Sequence, residues 1–169
     1  KKWELYSINA DGSGFTELAS GRSYGATSYS WSSDGSKIVY TSDEADPGEN
    51  DLWIINPDGS NKTRLTFYGA PGQYPSQASF SPDGTTIMFV QNQIRTINVD
   101  GTNNQGLISV APSNFNPEWS PDGQYIAFTS NPDQNDGFDI YLVASDGSNL
   151  TRLTNDSGNR QNQKPQWIP

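Results

Sequence analysis

An aromatic-plus-turn motif returns along this chain and constrains its fold more than any other feature. It reads WSSDG at 31–35, FSPDG at 80–84, WSPDG at 119–123 and, cut short, WIP at 167–169. A second motif keeps step with it: Asp11-Gly12, Asp58-Gly59, Asp100-Gly101 and Asp146-Gly147. A Leu-Ala or Leu-Thr pair closes three of these units, at Leu18-Ala19, Leu65-Thr66 and Leu153-Thr154, with Leu107 as a weaker fourth. Self-similarity at a period of about 40–50 residues marks stacked supersecondary units rather than one irregular core.

The third unit shows the pattern most clearly. Short strands are expected at 115–120, 125–130, 139–144 and 149–154, joined by Pro121-Asp122-Gly123, a polar loop at 131–137 and Asp146-Gly147-Ser148. In the SPDG turn, Pro presets φ, Asp accepts backbone hydrogen bonds and Gly supplies the positive φ of a three-residue hairpin with a bulge. The same reading gives strands at 27–31, 37–42, 51–56 and 62–66, then at 77–81, 86–90, 93–99 and 103–109. A half unit at 3–8 and 15–19 precedes them, and a lone strand at 165–168 follows. No window carries helical periodicity, so the chain is expected to be all-β.

Strands such as KIVYTS and YIAFTS are apolar on both faces, as sheets sandwiched between neighbours require. Four-stranded antiparallel blades packed radially make a β-propeller. The expectation is a partial or small ring, with three full repeats and terminal strands completing a fourth. The units are an outer half blade at 1–19, blades at 20–66, 67–109 and 110–154, and an inner strand within 155–169. Trp31, Phe80, Trp119 and Trp167 would be wedges between blades.

Composition excludes several function classes. The 19 Asp and Glu outnumber the 10 Lys and Arg, for a net charge of −9, which argues against nucleic acid and anionic membrane as partners. With no Cys and no His, disulfides, thiolate metal sites and Ser-His-Asp or Cys-His catalysis cannot be built. No run approaches the roughly 18 apolar residues of a membrane span. The aromatic fraction of 12%, with five Trp, separates the chain from disordered sequences.

The pattern x-[W/F]-S-P-D-G-x-x-I-x-F-x-S, then D-[I/L]-[Y/W]-x-[V/I], then D-G-S-x-x-x-x-L-T, resembles the TolB-like propeller repeat, also called WD40-like or PD40. It is similar to the propeller domains of prolyl-oligopeptidase-type serine peptidases. The Gly-His and Trp-Asp dipeptides of ordinary WD40 repeats are missing. The resemblance covers nearly the whole chain and implies a periplasmic or extracellular, noncatalytic propeller. Such propellers have about six blades, so a longer parent chain, or two copies completing one ring, is expected.

Two acidic loops invite a calcium reading through oxygen ligands. One offers Asp43, Asp46 and Asp51, the other Asp133, Asp136 and Asp139. Neither has EF-hand spacing. The competing reading makes Asp51 and Asp139 structural carboxylates, because an Asp before an aromatic belongs to the ordinary repeat; otherwise no cofactor is expected. Tyr24, Tyr68, Tyr74 and Phe115, with Tyr29, are candidate ligand-binding aromatics for a protein or peptide, or for a glycan. Arg64 and Arg152 occupy equivalent positions before Leu-Thr, which points to a structural role. The sequons at Asn61, Asn149 and Asn155 matter only in a secreted eukaryotic setting.

Three functions compete. The first is a noncatalytic protein-interaction or scaffold propeller that is exported. The second is the substrate-gating propeller of a serine peptidase whose catalytic domain lies elsewhere. The third is a structural protein that self-associates or joins further blades.

Overall fold

The computed structural model describes residues 3–21, 28–68, 74–108, 114–132, 137–155 and 164–168. Trp3–Ser7 (β1) and Thr16–Gly21 (β2) form a two-stranded antiparallel sheet. Three four-stranded meanders follow. The first blade holds Tyr29–Trp31 (β3), Ile38–Asp46 (β4), Glu49–Ile55 (β5) and Thr63–Arg64 (β6). The second holds Ser76–Phe80 (β7), Thr86–Gln91 (β8), Gln93–Asn98 (β9) and Gln105–Ile108 (β10). The third holds Asn114–Trp119 (β11), Tyr125–Ser130 (β12), Asp139–Ala144 (β13) and Thr151–Arg152 (β14). The fold is all-β, a partial propeller with one smaller terminal sheet.

The core lies between the blades. Alternate side chains of the two central strands point to opposite faces. Each blade therefore has a forward face toward the next unit and a rear face toward the one before. Forward-facing Val39, Leu52, Ile54 and Leu65 meet rear-facing Phe80, Ile87, Phe89 and Ile97 of the second blade. Forward-facing Met88, Ile94 and Leu107 meet Ile126, Phe128, Tyr141 and Val143 of the third. Leu18 and Ala19 of the two-stranded sheet meet Ile38, Tyr40 and Ile55 of the first. Phe80 and Trp119 serve as the expected wedges on these clusters. Trp31 is 48% exposed, because among the described residues the sheet behind it consists only of β1 and β2 and offers no inner strand to cover it. Trp167 is also partly exposed, and its indole N–H donates to Glu118 O at 3.3 Å.

Two turn designs alternate. In the SPDG turns the paired residues are Ser32 and Lys37, Ser81 and Thr86, and Ser120 and Tyr125, so each loop holds four residues rather than the expected three. The serine explains the difference. Ser120 Oγ donates to Asp122 Oδ1 at 2.6 Å and accepts the Tyr125 amide at 2.9 Å, and Ser32 and Ser81 do the same. The Asp-Gly turns are the three-residue kind: Asn56 N pairs with Ser60 O, and Gly59 takes the left-handed conformation at φ 84°. The next residue but one is also left-handed at Asn61, Asn103 and Asn149. Asn tolerates that region better than most L-residues. This backbone demand accounts for Asn at the first two sequon positions without any glycan.

Three expectations change. The acidic stretch 43–50 is not an open loop, because β4 and β5 continue into it until Pro47-Gly48 turns the chain. The fourth strands of the first and third blades shrink to two residues each. Residues 165–168 join no ladder; the segment rests against β11 through Trp167 and through a Lys164–Glu118 ion pair at 3.5 Å.

Seven turn carboxylates, on Asp11, Asp34, Asp58, Asp83, Asp100, Asp122 and Asp146, are held below the usual carboxylate range. The cause in each is first a neighbouring Ser or Thr hydroxyl and then a backbone amide, and for Asp34 the value falls to about 2. A carboxyl with a depressed folded-state pKa stabilises the fold above its unfolded pKa and loses that contribution as pH falls through the folded one. The melting temperature is therefore expected to hold down to about pH 4, the unfolded Asp value. It should then drop as pH descends toward 2. Circular dichroism melts across that window test this, and an unchanged midpoint would count against it.

Repeat-equivalent leucines should differ in proportion to their burial. Leu65 is 5% exposed and Leu153 is 55% exposed. Leu65→Ala is expected to cost about 2–4 kcal/mol, within the range for buried leucines, and Leu153→Ala under about 1. Urea denaturation of the two variants measures the contrast.

Candidate functional site

Strand alternation sorts the connections onto two ends. The SPDG and Asp-Gly turns, all short and nearly alike, lie at one end. At the other lie the connections between second and third strands and those leading from one blade to the next. Binding residues concentrate on variable loops held by a rigid scaffold, so this loop end is the candidate site.

A carboxylate tie builds that end in the first blade. Asp51 is 1% exposed and sits at the start of the third strand's apolar run. Its Oδ1 accepts Thr66 Oγ1 at 2.8 Å and the Tyr68 amide at 3.0 Å. Its Oδ2 accepts Arg64 Nε at 3.0 Å and Nη2 at 2.5 Å. Arg64 reaches on to Asp46 Oδ2 at 2.7 Å, and its guanidinium lies 4.9 Å over the Phe67 ring. Thr66 Oγ1 accepts the Leu52 amide at 2.9 Å, which closes the knot. The chain leaving the blade is thereby pinned, with Phe67 held outward at 74% exposure.

The third blade repeats the tie. Asp139 accepts Arg152 Nη2 and, at 2.8 Å, Thr154 Oγ1, while Thr154 Oγ1 accepts the Ile140 amide at 2.9 Å. The second blade departs from it. Gln93 stands in the Asp place, Gly106 in the Arg place and Ile108 in the Thr place, judged by strand register. A Cβ on Gly106 would lie 2.3 Å from Gln93 Nε2, so the Gln93 side chain fills the room that the missing Arg leaves.

The acidic residues are thus dispersed. Asp51 and Asp139 are spent on Arg and Thr partners. Asp43 is buried and accepts the Gly48 amide at 3.3 Å, whereas Asp46 is exposed beside Arg64. Asp133 and Asp136 lie outside the described residues. Among the described residues no three His, Cys, Asp or Glu side chains group as metal ligands would.

The candidate aromatics do not converge either. Tyr24 lies outside the described residues, and Tyr74 is half-buried. Tyr68 packs on the core between the first two blades, and its hydroxyl accepts Asn104 Nδ2 at 2.9 Å. Tyr29 is 64% exposed on the inner strand of the first blade. Phe115 is 40% exposed and meets Phe138 edge to face, with ring centres 5.7 Å apart. These two rings, with Asn116 and Thr129, line a cleft of about 300 Å³ at the loop end of the third blade. Phe67 and Phe138 escape sequence reasoning. The signal for Phe67 is its place directly after the Leu-Thr that the tie fixes.

The inner strands border an axial groove of about 330 Å³, lined by Ser28, Ser30, Gln77, Ser79, Asn116 and Glu118 among others. Polar contacts link the strands around it. Ala78 N donates to Ser28 Oγ at 3.2 Å, and Asn116 N donates to Gln77 Oε1 at 2.7 Å. Gln77 and Asn116 both hold left-handed backbone at bulges, which turns their side chains to this use.

Comparison with known proteins places this geometry. The TolB beta propeller domain family, PD40, matches residues 1–169. The Tol-Pal system protein TolB of Desulfosudis oleivorans is 29% identical over 106 residues, covering 60% of this chain and 21% of that protein. The chain therefore spans about a fifth of that curated relative. The crystal structure of TolB from Acinetobacter baumannii superposes with a TM-score of 0.69 at 17% identity, covering 89% of this chain and 37% of that one. A putative TolB from Agrobacterium tumefaciens gives 0.69 at 22% identity, covering 94% and 61%. A chain of a nidogen/laminin complex gives 0.65 at 14%, covering 83% and 52%. At these identities the solved structures speak for the fold alone.

Removing the tie should unfold rather than deactivate. Asp51→Ala leaves Arg64 and Thr66 without their acceptor and is expected to cost about 3 kcal/mol, the lower end for a broken buried pair. Because the described carboxylates, Asp43, Asp46, Asp51 and Asp139, are already engaged, added calcium should leave the melting temperature of the wild type unchanged. Denaturant titration and calorimetry, each with and without calcium, check both.

Proposed function

From membership of the TolB β-propeller domain family, which the match over residues 1–169 shows, we propose that the chain is a noncatalytic protein-interaction propeller. It binds a protein or peptide through its loop end. The observation that carries this is the pairing of exposed aromatics with rigid anchorage. Phe67 stands outward from a chain pinned by Asp51 and Arg64, and Phe115 with Phe138 lines a cleft on the third blade. Rigid aromatic anchors beside a polar rim are what protein interfaces favour. The opposite end consists of near-identical tight turns whose polar groups satisfy one another, and it offers little to recognise.

The reading extends to setting. The relative is a Tol-Pal system protein by name, and the repeat resembles those of periplasmic and secreted propellers. The proposed partner is therefore a protein of the bacterial periplasm or cell exterior, with soluble components of a Tol-Pal system as the first to test. The net charge of −9 suits a partner surface carrying Lys or Arg.

Isothermal titration of those components against the wild type, Phe67→Ala and Phe115→Ala tests the proposal. Each substitution is expected to weaken binding about tenfold, in line with about 1–2 kcal/mol for an interface aromatic. Binding that ignores both variants but fails when the turn end is altered at Asp122 would move the site to that end and reject this reading.

A further inference from the structure

The first blade carries a hairpin extension that the second blade lacks. β4 and β5 pair through Ser42 and Asp51, break register, and pair once more at Asp46 and Glu49. Residues 43–45 therefore stand opposite Asn50 alone, and the ladder beyond the break is a single pair. In the second blade Gln91 and Gln93 close the same hairpin around Asn92.

Two kinds of fastening hold the extension, and they differ in burial. At the root, Asp51 is 1% exposed and accepts from Arg64, Thr66 Oγ1 and the Tyr68 amide. Beyond the break, the contacts reach the outer strand from the solvent side. Glu44 Oε2 accepts Lys62 Nζ at 3.0 Å, and Asp46 Oδ2 accepts Arg64 Nη2 at 2.7 Å. Lys62 and Arg64 are two residues apart on an extended strand, so their side chains share one face. Two acids of the hairpin thus lash its tip to two cations in a row.

The lashing is weak where the root is strong. The Lys62 side chain is 33% exposed and that of Asp46 54%. Ion pairs so placed contribute little and are screened by salt, whereas a buried tie is screened far less. The closed position also carries a cost. Asn50 is 2% exposed, and its Oδ1 has no hydrogen-bond partner among the described residues. Opening returns that oxygen to water, which favours release.

We propose that residues 43–50 form a strap that ionic strength releases. At low salt the strap lies closed on Lys62 and Arg64. At high salt it swings out from the register break after Ser42, while the Asp51 tie and the blade stay intact. Opening bares Lys62 Nζ and the outer edge of the Arg64 guanidinium, which lies 4.9 Å over the Phe67 ring. Closed, the two cations face three carboxylates, on Glu44, Asp46 and Asp51; open, they face Asp51 alone. On the reading of Phe67 as an anchor for a partner, the strap therefore sets the sign of the charge beside that anchor. If Phe67 anchors no partner the strap still opens, and its release is measured without one.

Amide hydrogen exchange at Glu44, Asp46, Gly48 and Glu49 follows the strap, with the Leu52 and Tyr68 amides of the root as references. From about 0.05 M to about 1 M sodium chloride, strap exchange relative to the root is expected to quicken about fivefold, the scale of two exposed ion pairs. Glu44→Gln combined with Asp46→Asn should show the fast rate already at low salt, with no further response to salt. Acetylation by N-hydroxysuccinimidyl acetate reads the bared cation. Lys62 should gain reactivity over Lys37, whose Nζ donates to the neutral Asn56 Oδ1 at 2.6 Å. The salt series needs no variant, so it stands if the double substitution disturbs folding. Strap exchange that ignores salt, or that quickens only together with Leu52 and Tyr68, would overturn the proposal. So would a folded double variant that keeps the slow rate, or a Lys62 that gains nothing over Lys37 as the strap amides quicken.

Discussion

Everything in this structure depends on the fact that each blade is apolar on both faces. Val39 and Ile38 are neighbours on one strand, are 0% and 2% exposed, and belong to different core clusters. Such a sheet has no polar side to give to water, so it is stable only as the middle layer of a stack. Cooperativity then runs from blade to blade, as in other repeat proteins. The outermost faces leave Phe15 and Leu153 exposed, and Trp31 is exposed where the two-stranded sheet stops short of covering the first blade.

The turns solve a separate problem. A strand order that runs simply out from the axis demands a tight reversal after every first and third strand. Seven aspartates meet it, each accepting from a hydroxyl and an amide two residues on or nearby. Because the turns satisfy themselves, they need nothing from the rest of the blade. Their sequence can stay fixed while the opposite end varies. The two ends of the molecule thus differ in what they can evolve, which is why the loop end is the place to look for recognition.

Much of this was legible from the repeat. The meander and the inward pull of Phe80 and Trp119 follow from period and polarity. What was not legible depends on neighbours. Sequence could not tell that Ser120 organises the SPDG loop, because its hydroxyl acts on a residue five positions away. It could not tell that β4 runs on through 43–46 and pairs again at Asp46 with Glu49, since Asp and Glu are poor strand formers and here the tie to Arg64 compensates. Nor could it separate Tyr68, held in a joint between blades, from Phe67, which faces solvent, since adjacent aromatics look alike until the Asp51 tie fixes the chain that carries them. The candidate site was the least legible part, because Phe115 and Phe138 meet only once the strands of the third blade are laid side by side.

The second blade shows that the carboxylate tie belongs to the loop rather than to the blade. Where β4 and β5 run on past the sheet, Asp46 and Asp51 both reach Arg64, and the extended hairpin and the exit chain are fastened together. In the second blade the hairpin turns on Asn92 alone, between the paired Gln91 and Gln93, and nothing projects that needs fastening. A buried Asp without its Arg would there be an uncompensated charge. Gln93 avoids that cost, and Gly106 makes room for it. Loop length and tie have changed together, while the inter-blade joint beneath them, Leu65 under Gly101 and Leu107 under Gly147, has not. The propeller keeps its joints constant and varies its fastenings, so loops of different reach can be set on one end without disturbing the stack.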